Sequence, residues 1–170
     1  MRTDERDARV TRLVNAGVAA LLVVAFLGHA LFASAAGADA ASRAPYPLLY
    51  CLLALAAVHI GLSVATTLLM WNDSVRPPSE KKKRHQVLKW VTGAVVLAVL
   101  CVHVVHPAVV PAVTWAVSAV LLAAFVWHGW TGMKSLARDL RVPGKAKVPL
   151  RIALVALALI AFLVMVVARL

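Results

Sequence analysis

The sequence predicts an all-α membrane protein with five transmembrane helices, four forming an up-down bundle and one peripheral to it. Three observations predict this. Hydrophobic residues make up 62% of the 170 and charged residues only 15%, with a mean hydropathy of +0.86, which lies outside the range of a soluble domain. Apolar runs of spanning length recur five times, at about 13–36, 48–71, 87–106, 108–134 and 150–168. A helix rises 1.5 Å per residue, so about twenty residues cross the ~30 Å hydrocarbon core. The basic residues, finally, cluster in short connecting stretches, as membrane orientation distributes them.

Each element follows from its own stretch. Residues 1–12 are charged and mixed in sign, and are expected on the membrane surface as a short segment before the membrane domain at 13–170. The first span is read as a retained helix, because its apolar run is longer than a signal-peptide core and four more spans follow. It carries His29 late in the run and gives way to a polar turn with Asp39, Arg43, Pro45 and Pro47. The second span holds His59 at its middle, with Ser63, Thr66 and Thr67 on the following turns. Pro77, Pro78 and the charged run from Glu80 to Arg84 then read as a solvated loop. The third span holds His103 and His106 and stops at Pro107, which cannot continue a helix. Pro111 suits the first turn of the fourth span, whose exit reads Trp127-His128-Gly129-Trp130-Thr131-Gly132. Pro143 and Gly144 punctuate the last connector, and past Arg151 the fifth span has no polar side chain, which assigns it to packing.

Charge sets the expected orientation. Four basic residues precede Leu13, six lie from Arg76 to Lys89 and six from Lys134 to Arg151, leaving only Arg43 and Arg169. Sixteen of eighteen therefore fall on one side, which predicts a multi-pass protein of the cytoplasmic (inner) membrane with its amino terminus inside and its carboxyl terminus outside. The same pattern explains the net charge of +11 without nucleic acid as a partner; the partner of the apolar faces is the lipid bilayer. Cys51 and Cys101 lie inside apolar runs, where a thiol behaves as a small buried hydrophobe, so neither a disulfide nor a zinc site is expected.

No Asp or Glu falls within any span, so the polar chemistry there belongs to histidines, hydroxyls and tryptophans. One intramembrane histidine is accounted for by a bond to a neighbouring carbonyl. Four of them, His29, His59, His103 and His128 on four successive helices, point instead to an interior site. A zinc or copper ion would need its ligands at one depth. Counted from the outer helix ends at 1.5 Å per residue, His29 and His103 lie about 6–10 Å deep, His59 about 16 Å and His128 about 30 Å. One ion cannot collect these, whereas two bis-histidine haems can, with His29 and His103 holding one and His59 and His128 the other. Helices one and three, and two and four, would then be diagonal in the bundle. Gly129 and Gly132 leave room beside His128 for a flat ring, and a weak repeat relates the first helix hairpin to the second, with His59-Ile60-Gly61 matching His128-Gly129-Trp130. His106 reads as an interfacial residue and His85 as part of the basic loop.

The pattern Thr92-Gly93, ten residues before His103, followed by His128-Gly129-x-x-Gly132-Met133-Lys134-x-Leu136, resembles the dihaem cytochrome b membrane anchor of succinate:quinone and fumarate:quinone oxidoreductases. The resemblance extends over the first four spans. It departs in the first hairpin, where Ala65 stands in the place that Lys134 occupies in the second, and in the lack of an intramembrane carboxylate. It implies two haems b as cofactors with His29, His59, His103 and His128 as axial ligands to iron. It also implies flavoprotein and iron-sulfur subunits as cytoplasmic partners and membrane quinone as the substrate with which electrons are exchanged. The chain would be a non-catalytic or quinone-reactive subunit of an oxidoreductase complex.

Beside that reading, Lys89, Lys134 and Arg138 are candidate partners of haem propionates, and snorkelling explains them equally. Ser63, Thr67, Trp71, Trp90 and Trp130 are the polar groups available to quinone on the inner side, where aromatic-belt anchoring also accounts for the tryptophans. Rival readings are a cytochrome b subunit of a hydrogenase or formate dehydrogenase, and a haem-free transporter or assembly protein. The orientation is directly testable: a membrane-impermeant thiol reagent applied from outside should label Ser42→Cys and spare Ser79→Cys, and the opposite pattern would invert the topology.

Overall fold

The computed structural model describes residues 3–35, 46–72, 77–105 and 111–167. Five long helices account for most of them: α1 (Thr3–Ala35), α2 (Tyr46–Trp71), α3 (Glu80–Val105), α4 (Pro111–Asp139) and α5 (Lys147–Val167), with a single 3-10 turn at Gly144–Ala146 before α5. All five are long and apolar enough to cross a membrane. The polar turn at 37–45, residues 73–76, His106 with Pro107, and the last three residues lie outside the described residues.

Helix boundaries depart from the hydropathy pattern where charge, not apolarity, continues the helix. The charged segment before Leu13 is part of α1, with Thr11 Oγ1 donating to Asp7 O at 2.8 Å and Arg12 Nε to Ala8 O at 3.1 Å. The run from Glu80 to Arg84, expected as loop, is instead the first turn of α3. Pro77 and Pro78 precede it, Ser79 O accepts from Lys82 N at 2.9 Å, and Glu80 pairs with Lys83 at 2.8 Å. Lys, Arg and Glu are good helix formers, so a charged run beside an apolar one extends the helix into the interface. At the far end of α4, Val142 N bonds Ala137 O at 2.8 Å and Arg141 N bonds Arg138 O at 3.0 Å. That is a Schellman closure with Arg141 in the left-handed position at φ 56°, and Pro143 follows two residues on.

Around the bundle the order is α1, α2, α3, α4. α1 packs along α2, α3 along α4, and α1 meets α4. α2 and α3 are joined at the basic end by side chains: Gln86 Nε2 and Trp90 Nε1 both donate to Thr67 Oγ1, at 2.9 and 3.2 Å. Among the described residues α2 makes no extensive backbone contact with α3 or α4. The bundle is thus two helix hairpins laid side by side with a seam between them, and α1/α3 and α2/α4 are its diagonals.

α5 closes one side of the seam by packing on both α1 and α4. The buried core gathers there, from Leu27 of α1, Leu122 and Met133 of α4, and Leu154, Ala158 and Ala161 of α5. Phe26 stacks on Phe125 across α1 and α4 with centroids 3.9 Å apart and planes at 18°. Trp115 meets Phe162 across α4 and α5 at 6.2 Å. In a bilayer the lipid tails are as apolar as leucine, so helices associate through close van der Waals contact, which small residues permit. Ala16, Ala124, Ala137, Ala158 and Ala161 are all buried, whereas large residues such as Val24, Leu159 and Leu163 are exposed on the outer faces where lipid covers them. Cys51 and Cys101 are exposed free thiols, correcting their expected burial; apolar runs have a lipid face as well as a protein face.

Leu154, only 3% exposed, should therefore matter far more than its neighbours on the lipid face. Leu154→Ala is expected to lower stability by about 2–5 kcal/mol in reversible unfolding from mixed micelles. Leu159→Ala, at a position 56% exposed, should stay within about 0.5 kcal/mol.

Candidate functional site

The polar groups of the spans collect along the seam. At the inner level, nearer the basic end, His59 of α2 and His128 of α4 face each other across the diagonal with ring centroids 6.5 Å apart and planes at 75°. The depths expected for them from the outer helix ends differed by about 14 Å, and the structure corrects that figure. α4 continues to Asp139 and α2 stops at Trp71, so the outer ends are not level. Counted from the basic end, His59 is twelve positions from Trp71 and His128 eleven from Asp139, which places them together.

His128 is held firmly. Its Nδ1 lies 3.0 Å from Thr92 Oγ1 of α3, and Thr92 is the largest fully buried side chain among the described residues. A Cβ built on Gly93 would come within 3.2 Å of His128 Cε1 and 3.5 Å of Nδ1. The ring therefore lies directly on the backbone of α3, at a spot where an added Cβ would be a tight fit. Thr131, one helical step on from His128, donates to His128 O at 2.8 Å and touches Thr92 Oγ1 at 3.3 Å. The glycine after the histidine has another use than expected: a Cβ on Gly129 would meet Leu154 Cδ2 at 3.1 Å, so this notch is filled by α5 and offers no room for a ring. At Gly132 nothing lies within 4 Å.

At the outer level the histidines are those of the other diagonal, His29 and His103. His103 of α3 has its Nδ1 3.4 Å from Ser118 Oγ of α4, whose own proton goes to Thr114 O at 2.8 Å. His29 of α1 lies within electrostatic reach of His103. In each level the histidine of the second hairpin is anchored through Nδ1 by a hydroxyl. The histidine of the first hairpin is not: the Nδ1 atoms of His29 and His59 are buried without a hydrogen-bond partner. A buried polar atom left unpaired costs about 1–3 kcal/mol, and among the described residues Asn15 Oδ1 and His85 Nε2 share this state with the two nitrogens. No three of the His, Cys, Asp and Glu side chains among the described residues converge on one point.

At the inner mouth of the seam, Lys89 is half-buried, donates to Ser135 Oγ at 3.4 Å and stands within electrostatic reach of both His59 and His128. Arg138 lies within electrostatic reach of Lys89 but is itself exposed and bonded to Asp139 at 3.0 Å; Lys134 is exposed beside it. Of the polar groups expected to serve quinone, Ser63, Thr67 and Trp90 fall in one cluster between α1, α2 and α3. Asn15 Nδ2 donates to Ser63 Oγ at 3.3 Å, and Thr67 Oγ1 donates to Ser63 O at 2.7 Å. Thr67 and Trp90 thus already satisfy each other. Trp130 lies apart, with the Arg151 guanidinium 5.2 Å from its ring centroid, and Trp71 is exposed at the end of α2.

Sequence reasoning did not find Ser118 and Asn15, nor that Thr92 bonds His128. The signal was present, since each is a lone hydroxyl or amide within an apolar run. Comparison of the chain with protein-family models, with curated proteins and with solved structures finds no match. The geometry yields a prediction at the two glycines. Gly93→Val should drive the His128 ring off α3 and lower stability by about 1–3 kcal/mol in thermal unfolding. Gly132→Ala, into open space on a helix, should be neutral or stabilising by up to about 1 kcal/mol.

Proposed function

We propose that this chain is a membrane-anchor cytochrome b carrying two haems b, which passes electrons between a cytoplasmic flavoprotein and iron-sulfur dehydrogenase or reductase of the succinate/fumarate type and membrane quinone. The observation that carries the reading is the His59–His128 pair. The two imidazoles meet across the diagonal with centroids 6.5 Å apart, and they are the residues that would hold the iron of one haem. The buried, unpartnered Nδ1 atoms of His59 and His29 also fit a group supplied from outside the chain.

On this reading His59 with His128, and His29 with His103, hold the two cofactors. Haem b, when bound, supplies a one-electron carrier whose potential the protein tunes through ligand identity, hydrogen bonding and burial. The chain's own residues set those terms. Thr92 and Ser118 orient His128 and His103, and the apolar helices around them lower the local dielectric. Lys89, with Arg138 and Lys134 nearby, makes the inner mouth positive and suits it to carboxylates. The positive-inside distribution of basic residues supports a cytoplasmic position for this mouth, where soluble redox subunits would dock on the ends of α2 to α5.

Haem content and a reduced-minus-oxidised spectrum of the purified protein test the reading. Two haems per chain are expected. His59→Ala and His128→Ala should remove one spectral component, His29→Ala and His103→Ala the other, and His106→Ala neither. A chain without haem when expressed with haem supply would overturn the proposal.

A further inference from the structure

Thr92 has an unusual set of neighbours. Its side chain is 0% exposed, so no water reaches its hydroxyl. Four atoms surround Oγ1: Leu88 O at 3.0 Å, Lys89 O at 3.1 Å, His128 Nδ1 at 3.0 Å and Thr131 Oγ1 at 3.3 Å. A threonine hydroxyl has one proton and two lone pairs. The two carbonyls can only accept, so the Thr92 proton is directed to the α3 backbone. Thr131 has committed its own proton to His128 O. What Thr92 can offer Nδ1 is therefore a lone pair.

We infer that Thr92 is a positioning residue for His128: it accepts the Nδ1 proton and so commits the imidazole to the tautomer whose lone pair is on Nε2. A metal-ligating histidine is oriented in this way by the hydrogen bond its other nitrogen makes, and that partner also raises the basicity of the ligand. Gly93 completes the device by letting the ring lie against α3 within reach of the hydroxyl. The tautomer assignment stands on the hydrogen-bond network alone; its use in ligation rests on the function proposed above.

A buried threonine that only fills space predicts a different outcome from one that orients a ring, and two substitutions separate them. Thr92→Ser keeps the oxygen and loses a methyl group; Thr92→Val keeps the shape and loses the oxygen. Nitrogen-15 NMR of His128 in the solubilised, haem-free chain should show the Nδ1-protonated tautomer in the unmodified protein and in Thr92→Ser. Thr92→Val should show loss of that single state. In the haem-bearing protein, Thr92→Val should weaken retention of the inner component about 10–100-fold and raise its midpoint potential, because a less basic ligand favours ferric iron less. Thr92→Ser should stay near the unmodified protein, and the outer component should not move in either variant. An Nε2-protonated His128 in the unmodified protein, or Thr92→Ser failing where Thr92→Val succeeds, would overturn the inference. A chain that binds no haem but shows the predicted tautomer pattern would overturn the proposed function and uphold Thr92.

Discussion

The hydrocarbon core offers no water, so a polar group carried into it must be satisfied by the chain or by something the chain binds. In this protein that constraint acts on four imidazoles. Two of them, His103 and His128, sit on the second hairpin and are anchored by Ser118 and Thr92. The other two, His29 and His59, sit on the first hairpin with a buried nitrogen left open. Each level of the seam thus joins a histidine whose direction is set to one whose bonding is incomplete.

The fifth helix gives the seam its permanence. Leu154 fills the notch at Gly129 one residue from His128, and Ala158 and Ala161 let α5 approach α1 and α4 closely. Packing is dense on that side of the bundle and sparse between α2 and its neighbours in the second hairpin. The last helix thus braces α1 and α4 on one flank, and the seam lies on the other. The helix outside the ring of four therefore contributes half of the buried cluster and supports the inner site through Gly129.

At the basic end the same residues serve several roles. Lys89 bonds Ser135 and lies near both inner histidines; Thr67 gathers Gln86 and Trp90 and so ties the two hairpins together at the mouth. The charged residues flanking the apolar stretches also extend α1 and α3 beyond them. Helix length and the potential at the mouth are in this way set by one distribution of lysine and arginine.

The spanning helices were legible from length and hydropathy, because an apolar run of twenty residues has few other fates. So were the one-sided basic loops and the four histidines on successive spans, since each is a property of position along the chain. What only the tertiary structure decided is which groups meet. His59 and His128 share a level although their distances from the outer helix ends differ; Gly93, not Gly129, makes room for the ring; Cys51 and Cys101 point outward. The physical reason is that a helix between lipid and other helices is apolar all round, so periodicity does not reveal which face turns inward. Rotation about the helix axis and offset along it are set instead by small-residue contacts and a few hydrogen bonds between distant segments, such as Thr92 to His128 and Gln86 to Thr67.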